Sequence, residues 1–84
     1  MNLKNNIYYD KINLLCADPD QDGEDHLFRS LNLSHYLKDL GYNCEIFVKS
    51  SDKTGLINSL KLKSNFNTDE LFNAKWLVID DYKW

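Results

Sequence analysis

The residues best suited to chemistry lie together in the segment from Asp18 to His26. It holds five carboxylates (Asp18, Asp20, Asp22, Glu24 and Asp25) and ends on His26, which we predict to open a helix. The positive end of a helix favours a neutral imidazole, whereas neighbouring carboxylates favour the charged form. A neutral imidazole in such a position can act as a general base on a hydroxyl group or a water. The alternative, and the commoner case for a lone surface histidine, is a solvated side chain. His35 lies on the polar stripe of the same helix, and we assign it no role.

The same segment also fits the first half of a calcium-binding loop. Asp18, Asp20 and Asp22 alternate with other residues, so their carboxylates could converge on one ion, and Gly23 permits the sharp turn. The second half departs from the pattern, because the twelfth position is Arg29 instead of glutamate. Calcium binding is therefore an alternative hypothesis. The simpler expectation is a solvated acidic loop at the start of a helix. The sequence predicts no other metal site and no cofactor.

A further pair of carboxylates, Asp80 and Asp81, follows the last apolar run of the chain. A carboxylate at the carboxyl end of a parallel strand faces the edge where α/β sheets bind ligands. The alternative is that this pair caps a following helix.

The chain around these residues alternates between strand-like and helix-like patterns. We predict strands at 12–17, 44–48 and 76–80, with a short additional strand at 62–66. A loop is expected at 18–25 and a helix at 26–40, ended by Gly41. A second helix is predicted at 52–62, capped by Ser50, Ser51 or Asp52, and a helical turn at 68–73, capped by Asn67 or Thr68. The run at 76–80 is continuous and apolar, which is typical of a strand buried on both faces.

This order predicts an α/β fold with helices covering a mostly parallel sheet of about four strands. Right-handed crossovers make it a Rossmann-like half-domain. We expect residues 1–84 to form one such domain, with residues 1–10 as a flexible tail. A chain that stops at the ligand edge of a sheet is typical of the first half of a larger protein.

The predicted first helix carries two apolar stripes. One stripe is suited to a sheet and consists of Leu27, Ser30, Leu31, Ser34 and Leu37. The other stripe lies almost opposite and consists of Leu33, Tyr36 and Leu40. Because a helix on a sheet needs one apolar face, the second stripe indicates a neighbouring helix or a partner chain, such as a homodimer.

Composition excludes several classes of function. The net charge of −3 over 84 residues argues against a nucleic-acid platform and gives no support to binding an anionic membrane. No apolar run approaches the roughly 20 residues that span a bilayer, and no signal peptide is recognisable. Cys16 and Cys44 lie in strand-like runs and are expected to be buried thiols, with a disulfide or ligand role as the alternative. We expect a cytoplasmic protein.

Three blocks of the chain resemble one known family. The stretch from His26 to Gly41, HLFRSLNLSHYLKDLG, is similar to the G-x-G-H-x-x-R-x-L-x-L-A-x-x-L…G stretch of the UDP-sugar hydrolases of pseudaminic acid biosynthesis. These enzymes are relatives of spore-coat polysaccharide biosynthesis proteins and have a fold like that of GT-B glycosyltransferases. The preceding Ala17-Asp18 is similar to a strand-end aspartate of the family, and the run from Trp76 to Tyr82, WLVIDDY, resembles its W-L-V-V-D-H-Y segment.

The resemblance implies a role for each matching residue. His26 would be the general base that activates water, and Asp80, also catalytic, would form with Tyr82 the strand-end pair near the sugar. Asp18, Gly23, Arg29 and Tyr82 would contact the substrate, a UDP-linked amino sugar. In this family a second, C-terminal domain holds most of the nucleotide, so we expect the chain to be inactive alone. Asp25 stands where the family has a glycine before the histidine.

Overall fold

The structure, a computed structural model, describes residues 11–50 and 55–80, and for Asp20 and Asp22 it describes only the backbone. The predicted flexible tail at 1–10, Asp81 and Tyr82 lie outside the described residues. Seven elements follow one another along the chain: β1 (Lys11–Cys16), α1 (Pro19–Asp22), α2 (Asp25–Asp39), β2 (Asn43–Val48), α3 (Leu56–Ser59), α4 (Thr68–Phe72) and β3 (Trp76–Asp80).

The three strands form a parallel sheet in the order β2-β1-β3. Ile12 of β1 is in register with Cys44 on one side and with Trp76 on the other. β1 is the central strand, and its side chains from Ile12 to Cys16 are all buried. The parallel α/β architecture predicted from the alternation of patterns is confirmed, and it fits a Rossmann-like half-domain.

Apolar side chains pack on both faces of this sheet. Because side chains alternate along a strand, one face receives Ile12, Leu14 and Cys16, which pack with neighbours from β2, α2 and α3. The opposite face receives Leu15, which packs with Phe47 of β2 and Leu71 of α4. The core is thus two thin layers, one on each side of β1.

Helix α2 lies against the first of these layers through the stripe that the sequence predicts. Leu27, Ser30 and Ser34 are buried. The helix ends in a Schellman motif, in which the amide of Tyr42 donates to the carbonyl of Leu37 at 3.0 Å and that of Gly41 donates to Lys38 at 2.9 Å. Gly41 has φ of 96°, so the left-handed residue expected at this position is confirmed.

The predicted strand at 62–66 is reduced to a single bridge between Lys63 and Phe47. The chain is held there by two backbone hydrogen bonds, from Val48 to Lys63 at 2.8 Å and from Lys63 to Ile46 at 3.2 Å. It cannot continue along β2 because Asn67 soon begins α4, as the sequence predicts. The Asn67 side chain accepts from the Glu70 amide at 2.8 Å. The sheet of the described residues therefore has three strands instead of about four.

Two other elements are shorter or more helical than predicted. Within the described residues 55–62, the helix expected at 52–62 is the single turn α3, which follows Gly55 at φ of 75° and gives way to Lys61 at φ of 58°. Of its predicted caps, Ser51 and Asp52 lie outside the described part of the chain. The expected loop at 18–25 contains the helical turn α1, which opens on Pro19 because proline fits the first position of a helix.

Strand β3 is not buried on both faces as predicted. It lies at an edge of the described sheet, and Trp76 is 62% exposed while Val78 is 40% exposed. The second stripe of α2 is also open to solvent, with Leu33, Tyr36 and Leu40 among the exposed large side chains. Apolar character alone does not distinguish a strand that is covered within one chain from a strand that lies at an edge.

Both cysteines are buried thiols, as predicted, and neither forms a disulfide. Burial raises the pKa of the Cys44 thiol, against smaller opposing effects of Ser34 and Lys38. Within the described ranges, no helix has both the length and the apolar character needed to cross a bilayer.

Candidate functional site

The first turn of α2 meets the last residue of β3. The Nδ1 atom of His26 lies 3.0 Å from Oδ1 of Asp80, although 54 residues separate the two in the chain. Both side chains are partly covered, at 19% exposed for His26 and 24% for Asp80. An imidazole held by a carboxylate at the ligand edge of a parallel sheet is an arrangement suited to general acid–base chemistry.

Backbone geometry brings these two residues together. β3 runs parallel to β1, and beyond the strand ends the Ala17 amide donates to the Asp80 carbonyl at 3.1 Å. The chain then turns through α1 and through Gly23, whose φ of 85° disfavours any residue with a side chain. α2 starts directly afterwards, so that its first turn is directed back over the end of β3.

Arg29 completes the cluster from the same helix. Its Nε donates to Asp80 Oδ2 at 2.8 Å and its Nη2 donates to Oδ1 at 2.6 Å, a bidentate pair. The hydrogen bonds from Arg29 lower the pKa of Asp80, with a smaller contribution from His26, while partial burial opposes this effect. Asp80 is therefore an anion at neutral pH that accepts from both side chains.

Two neighbours compete for the Nδ1 atom of His26, which lies 3.0 Å from Asp80 Oδ1 and 2.9 Å from Arg29 Nη2. A guanidinium only donates, so a hydrogen bond with Arg29 uses an Nδ1 lone pair, whereas a hydrogen bond with Asp80 uses an Nδ1–H. When Nδ1 carries the proton, Asp80 accepts it and Nε2 is the basic nitrogen.

A small cavity of about 210 Å³ lies beside the cluster, between α2 and β3. Arg29 and Asp80 form its polar part, and the remaining lining is mostly apolar and comes from Leu14, Ser30, Leu33, Val78 and Ile79. Among the described residues that line the cavity, only Arg29 and Asp80 carry a charge.

Of the residues predicted for the site, the structure brings His26, Arg29 and Asp80 into contact. Asp18 lies at the end of β1, half-buried, and its carbonyl accepts from the Gln21 amide at 3.2 Å. Gly23 shapes the turn into α2, and open space surrounds the position that a Cβ would occupy there. Tyr82 lies outside the described residues, so its role stays a prediction.

The bidentate pairing of Arg29 with Asp80 was not foreseen from the sequence. The spacing of His26 and Arg29 carries the signal, because residues three apart share one face of a helix. A histidine and an arginine on the same face of a first helical turn would both be directed at whichever group follows the neighbouring strand.

A metal site receives no support from the described side chains, in which no three histidine, cysteine or acidic residues converge. The calcium hypothesis depends on Asp20 and Asp22, whose side chains are not described, and it stays a prediction. The calcium hypothesis assumed that the alternating residues Asp18, Asp20 and Asp22 lie in a loop. Residues 19–22 form the helical turn α1 instead, and alternate residues of a helix do not lie on one face, so the alternation no longer supports the hypothesis.

No protein-family model matches the chain, and no characterised protein or solved structure is significantly similar to it.

Proposed function

We propose that this chain is the N-terminal part of a hydrolase that cleaves the bond between UDP and an amino sugar in the biosynthesis of a surface polysaccharide. The resemblance of three sequence blocks to UDP-sugar hydrolases suggests the substrate class. The observation that carries the proposal is the contact between His26 Nδ1 and Asp80 Oδ1 at 3.0 Å, at the ligand edge of the sheet.

In the proposed reaction, His26 is the general base. A water approaching Nε2 gives its proton to that nitrogen while its oxygen attacks the anomeric carbon of the sugar. The bond from this carbon to the diphosphate oxygen breaks, and UDP leaves with the bonding electrons. The products are free sugar and UDP, and the proton held by His26 returns to solvent.

Asp80 positions the base in this scheme. By accepting from Nδ1–H it keeps the second ring nitrogen basic, and its negative charge stabilises the imidazolium that forms. Arg29 holds the carboxylate in place through two hydrogen bonds of 2.8 and 2.6 Å. The exposed guanidinium also supplies positive charge near the departing diphosphate.

The test is release of UDP from a UDP-amino sugar by the purified chain. We expect His26→Ala to lower the rate by about 100-fold or more, the usual contribution of a general base. His35→Ala is the matched control, because His35 lies on the exposed side of the same helix, and its rate should equal that of wild type. Equal rates for His26→Ala and wild type would remove His26 from the mechanism. No release by the wild-type chain is the result expected if the second domain is indispensable, and His26→Ala is then compared with wild type in the presence of a C-terminal domain from the family that the chain resembles.

A second candidate function is self-association. The large side chains of the second α2 stripe adjoin those of β3, and together they form an apolar face made of Leu33, Tyr36, Leu40, Tyr42, Trp76 and Val78, all exposed. A cleft of about 400 Å³ runs across part of this face. Large exposed apolar patches are typical of protein–protein contacts. In this role the chain would be a dimerisation module, with or without hydrolysis.

A further inference from the structure

A cleft of about 430 Å³ lies towards the opposite end of α2 from the His26 cluster. Its walls are formed by the later turns of α2, the first half of β2 and the residues that follow α3. At about 1.5 Å of rise per residue, His26 and Lys38, which lines the cleft, are about 18 Å apart along the helix axis. The cleft is therefore separate from the site described above.

The inner surface of the cleft combines buried polar groups with apolar walls. The hydroxyl of Ser34 and the thiol of Cys44 belong to side chains that are only 4% and 7% exposed. The apolar walls are formed by Leu31, Ile46, Leu60 and Leu62. A cavity of several hundred Å³ with apolar walls and a few convergent polar groups is the usual form of a binding site for a small organic molecule.

Unpaired positive charge lines this cleft. Lys38 and Lys61 are both exposed, and the one carboxylate in the lining belongs to Glu45. Glu45 is already paired, with Lys11 at 3.3 Å and with Lys63 at 3.8 Å. Among the described side chains, neither Lys38 nor Lys61 forms an ion pair with a carboxylate. The charges that remain for a ligand are therefore those of the two lysines.

The charge of Lys38 acts on the inner surface of the cleft. Burial, the largest effect, raises the pKa of the Cys44 thiol, whereas Ser34 and the charge of Lys38 lower it. Lys38 also lies in the last turn of α2, where a cation offsets the negative end of the helix dipole. The last carbonyls of the helix accept hydrogen bonds within the chain. The end of α2 thus presents little free negative charge to the cleft.

Lys61 stands at a position where glycine is the usual residue. Its amide donates to the carbonyl of Asn58, and the amide of Leu62 donates to that of Ile57, both at 3.0 Å, which is a Schellman motif. Lys61 has φ of 58° and is the one residue other than glycine in the described ranges with a positive φ. A glycine would be less strained in this conformation. The local fold alone therefore does not account for a lysine here.

We propose that this cleft binds a small organic acid, whose carboxylate pairs with Lys38 and Lys61 and whose apolar body packs on the leucine and isoleucine side chains of the walls. A lysine ammonium is a point charge on a flexible stem, so two of them can close on one anionic group. The apolar walls favour a molecule with a hydrocarbon body over an inorganic anion. This binding does not depend on hydrolysis at His26.

The experiment compares three molecules of similar shape and different charge, which are benzoate, benzyl alcohol and benzylamine. Each is titrated near neutral pH into the isotope-labelled chain, and the amide signals of Ile46 and Lys61 are followed by NMR. We expect benzoate to bind at least about threefold more tightly than benzyl alcohol, and benzylamine to bind most weakly. Signals of Trp76 and Val78 report binding to the apolar face instead. No saturable shift with benzoate, equal affinities for benzoate and benzylamine, or shifts confined to the apolar face would overturn the proposal.

Variants of the two lysines test the charge contact. Lys38→Gln should weaken benzoate binding about threefold and leave benzyl alcohol binding unchanged. Lys75→Gln is the matched control, because Lys75 is an exposed lysine outside the cleft, and it should alter neither affinity. Lys61→Gly should also weaken benzoate binding, yet it should keep or raise the melting temperature because glycine relaxes the left-handed backbone. A lower affinity in a variant of equal or higher stability excludes unfolding as its cause. Benzoate binding that is unchanged in both cleft variants, or equally weakened in Lys75→Gln, would overturn the proposal.

Discussion

The side-chain amide nitrogen of Asn13 lies 2.8 Å from the carbonyl oxygen of Leu71, which joins the middle of the central strand to the last turn of α4. A second bond of 3.3 Å reaches the carbonyl of Glu70. Asn13 is fully buried, and among the described residues its Oδ1 has no hydrogen-bond partner. A polar side chain in the core thus supplies the donors that the end of a helix lacks.

Replacing Asn13 tests how much its hydrogen bonds to α4 contribute to the free energy of unfolding. Asn13→Ala leaves two carbonyl groups without their donor, so we expect a loss of about 2 kcal/mol in the free energy of unfolding. Asn13→Asp should cost more, because a buried carboxylate cannot donate and would face those carbonyls. Urea denaturation measures both. An Asn13→Ala variant as stable as wild type would show that α4 is held by Leu71 packing alone.

The Schellman motif at the end of α2 gives a second stability prediction. Gly41→Ala should destabilise the protein by about 1 kcal/mol, because φ of 96° is strained for a residue with a side chain. No atom lies within 4 Å of the added Cβ, so the cost is one of backbone conformation alone. Gly41→Asn is the matched control and should lose less, since asparagine tolerates the left-handed region. Thermal melting followed by circular dichroism would show the order, and equal losses would contradict it.

Asp80→Asn should impair hydrolysis without unfolding the site. The amide keeps the size of the carboxylate but cannot provide a negative charge for the imidazolium, so we expect the rate of UDP release to decrease by about 100-fold. Glu70→Gln, a change of the same kind at a carboxylate on α4, is the control and should retain the wild-type rate. Retained activity in Asp80→Asn would mean that His26 acts without this partner.

Acid should weaken the fold through two carboxylates. Hydrogen bonds from Arg29 lower the pKa of Asp80, and those from Lys63 lower the pKa of Glu70. A lowered pKa in the folded state gives stability that is present above the ordinary value of about 4 and is lost as pH decreases through the folded value. We expect the urea midpoint to decrease between pH 6 and pH 3, and to decrease less in the Asp80→Asn, Glu70→Gln double variant. An equal decrease in both proteins would assign the acid sensitivity to other groups.

Self-association through the apolar face can be tested at its centre. If two copies meet there, Leu33→Glu should convert a dimer into a monomer in sedimentation experiments, because a buried charge opposes the contact. Phe28→Glu is the control, since Phe28 is an exposed apolar side chain of the same helix that is not part of this face. A wild-type chain that is monomeric at all accessible concentrations would exclude the dimerisation function.

Local signals in the sequence were sufficient for most elements of the fold. β3 begins and ends at the predicted residues, and α2 is displaced by only one residue at each end. The signals of Gly41 and Asn67 concern a few neighbouring residues, so they could be interpreted directly. The fourth strand and the burial of β3 depend on which elements lie beside them in space, and composition does not specify this.

The candidate site, like the fold, was predictable only in part. The types and positions of His26 and Asp80 marked both as candidates, since each stands at the end of an element that faces the ligand edge. The distances among them and Arg29 depend on the rotamers of three side chains on two elements. No sequence pattern specifies those rotamers, so the shared oxygen of Asp80 emerged only from the structure.

The central position of β1 has a consequence for folding kinetics. β1 must close with β2 and with β3, and the second closure spans about twice as much chain, because Ile12 pairs with Cys44 and with Trp76. Doubling a loop costs about 0.6 kcal/mol more in chain entropy. We therefore expect the unit of β1, α2 and β2 to form first and β3 to dock afterwards. If the pairing of Asp80 with His26 and Arg29 forms after the rate-limiting step, weakening it should speed unfolding and leave the folding rate unchanged.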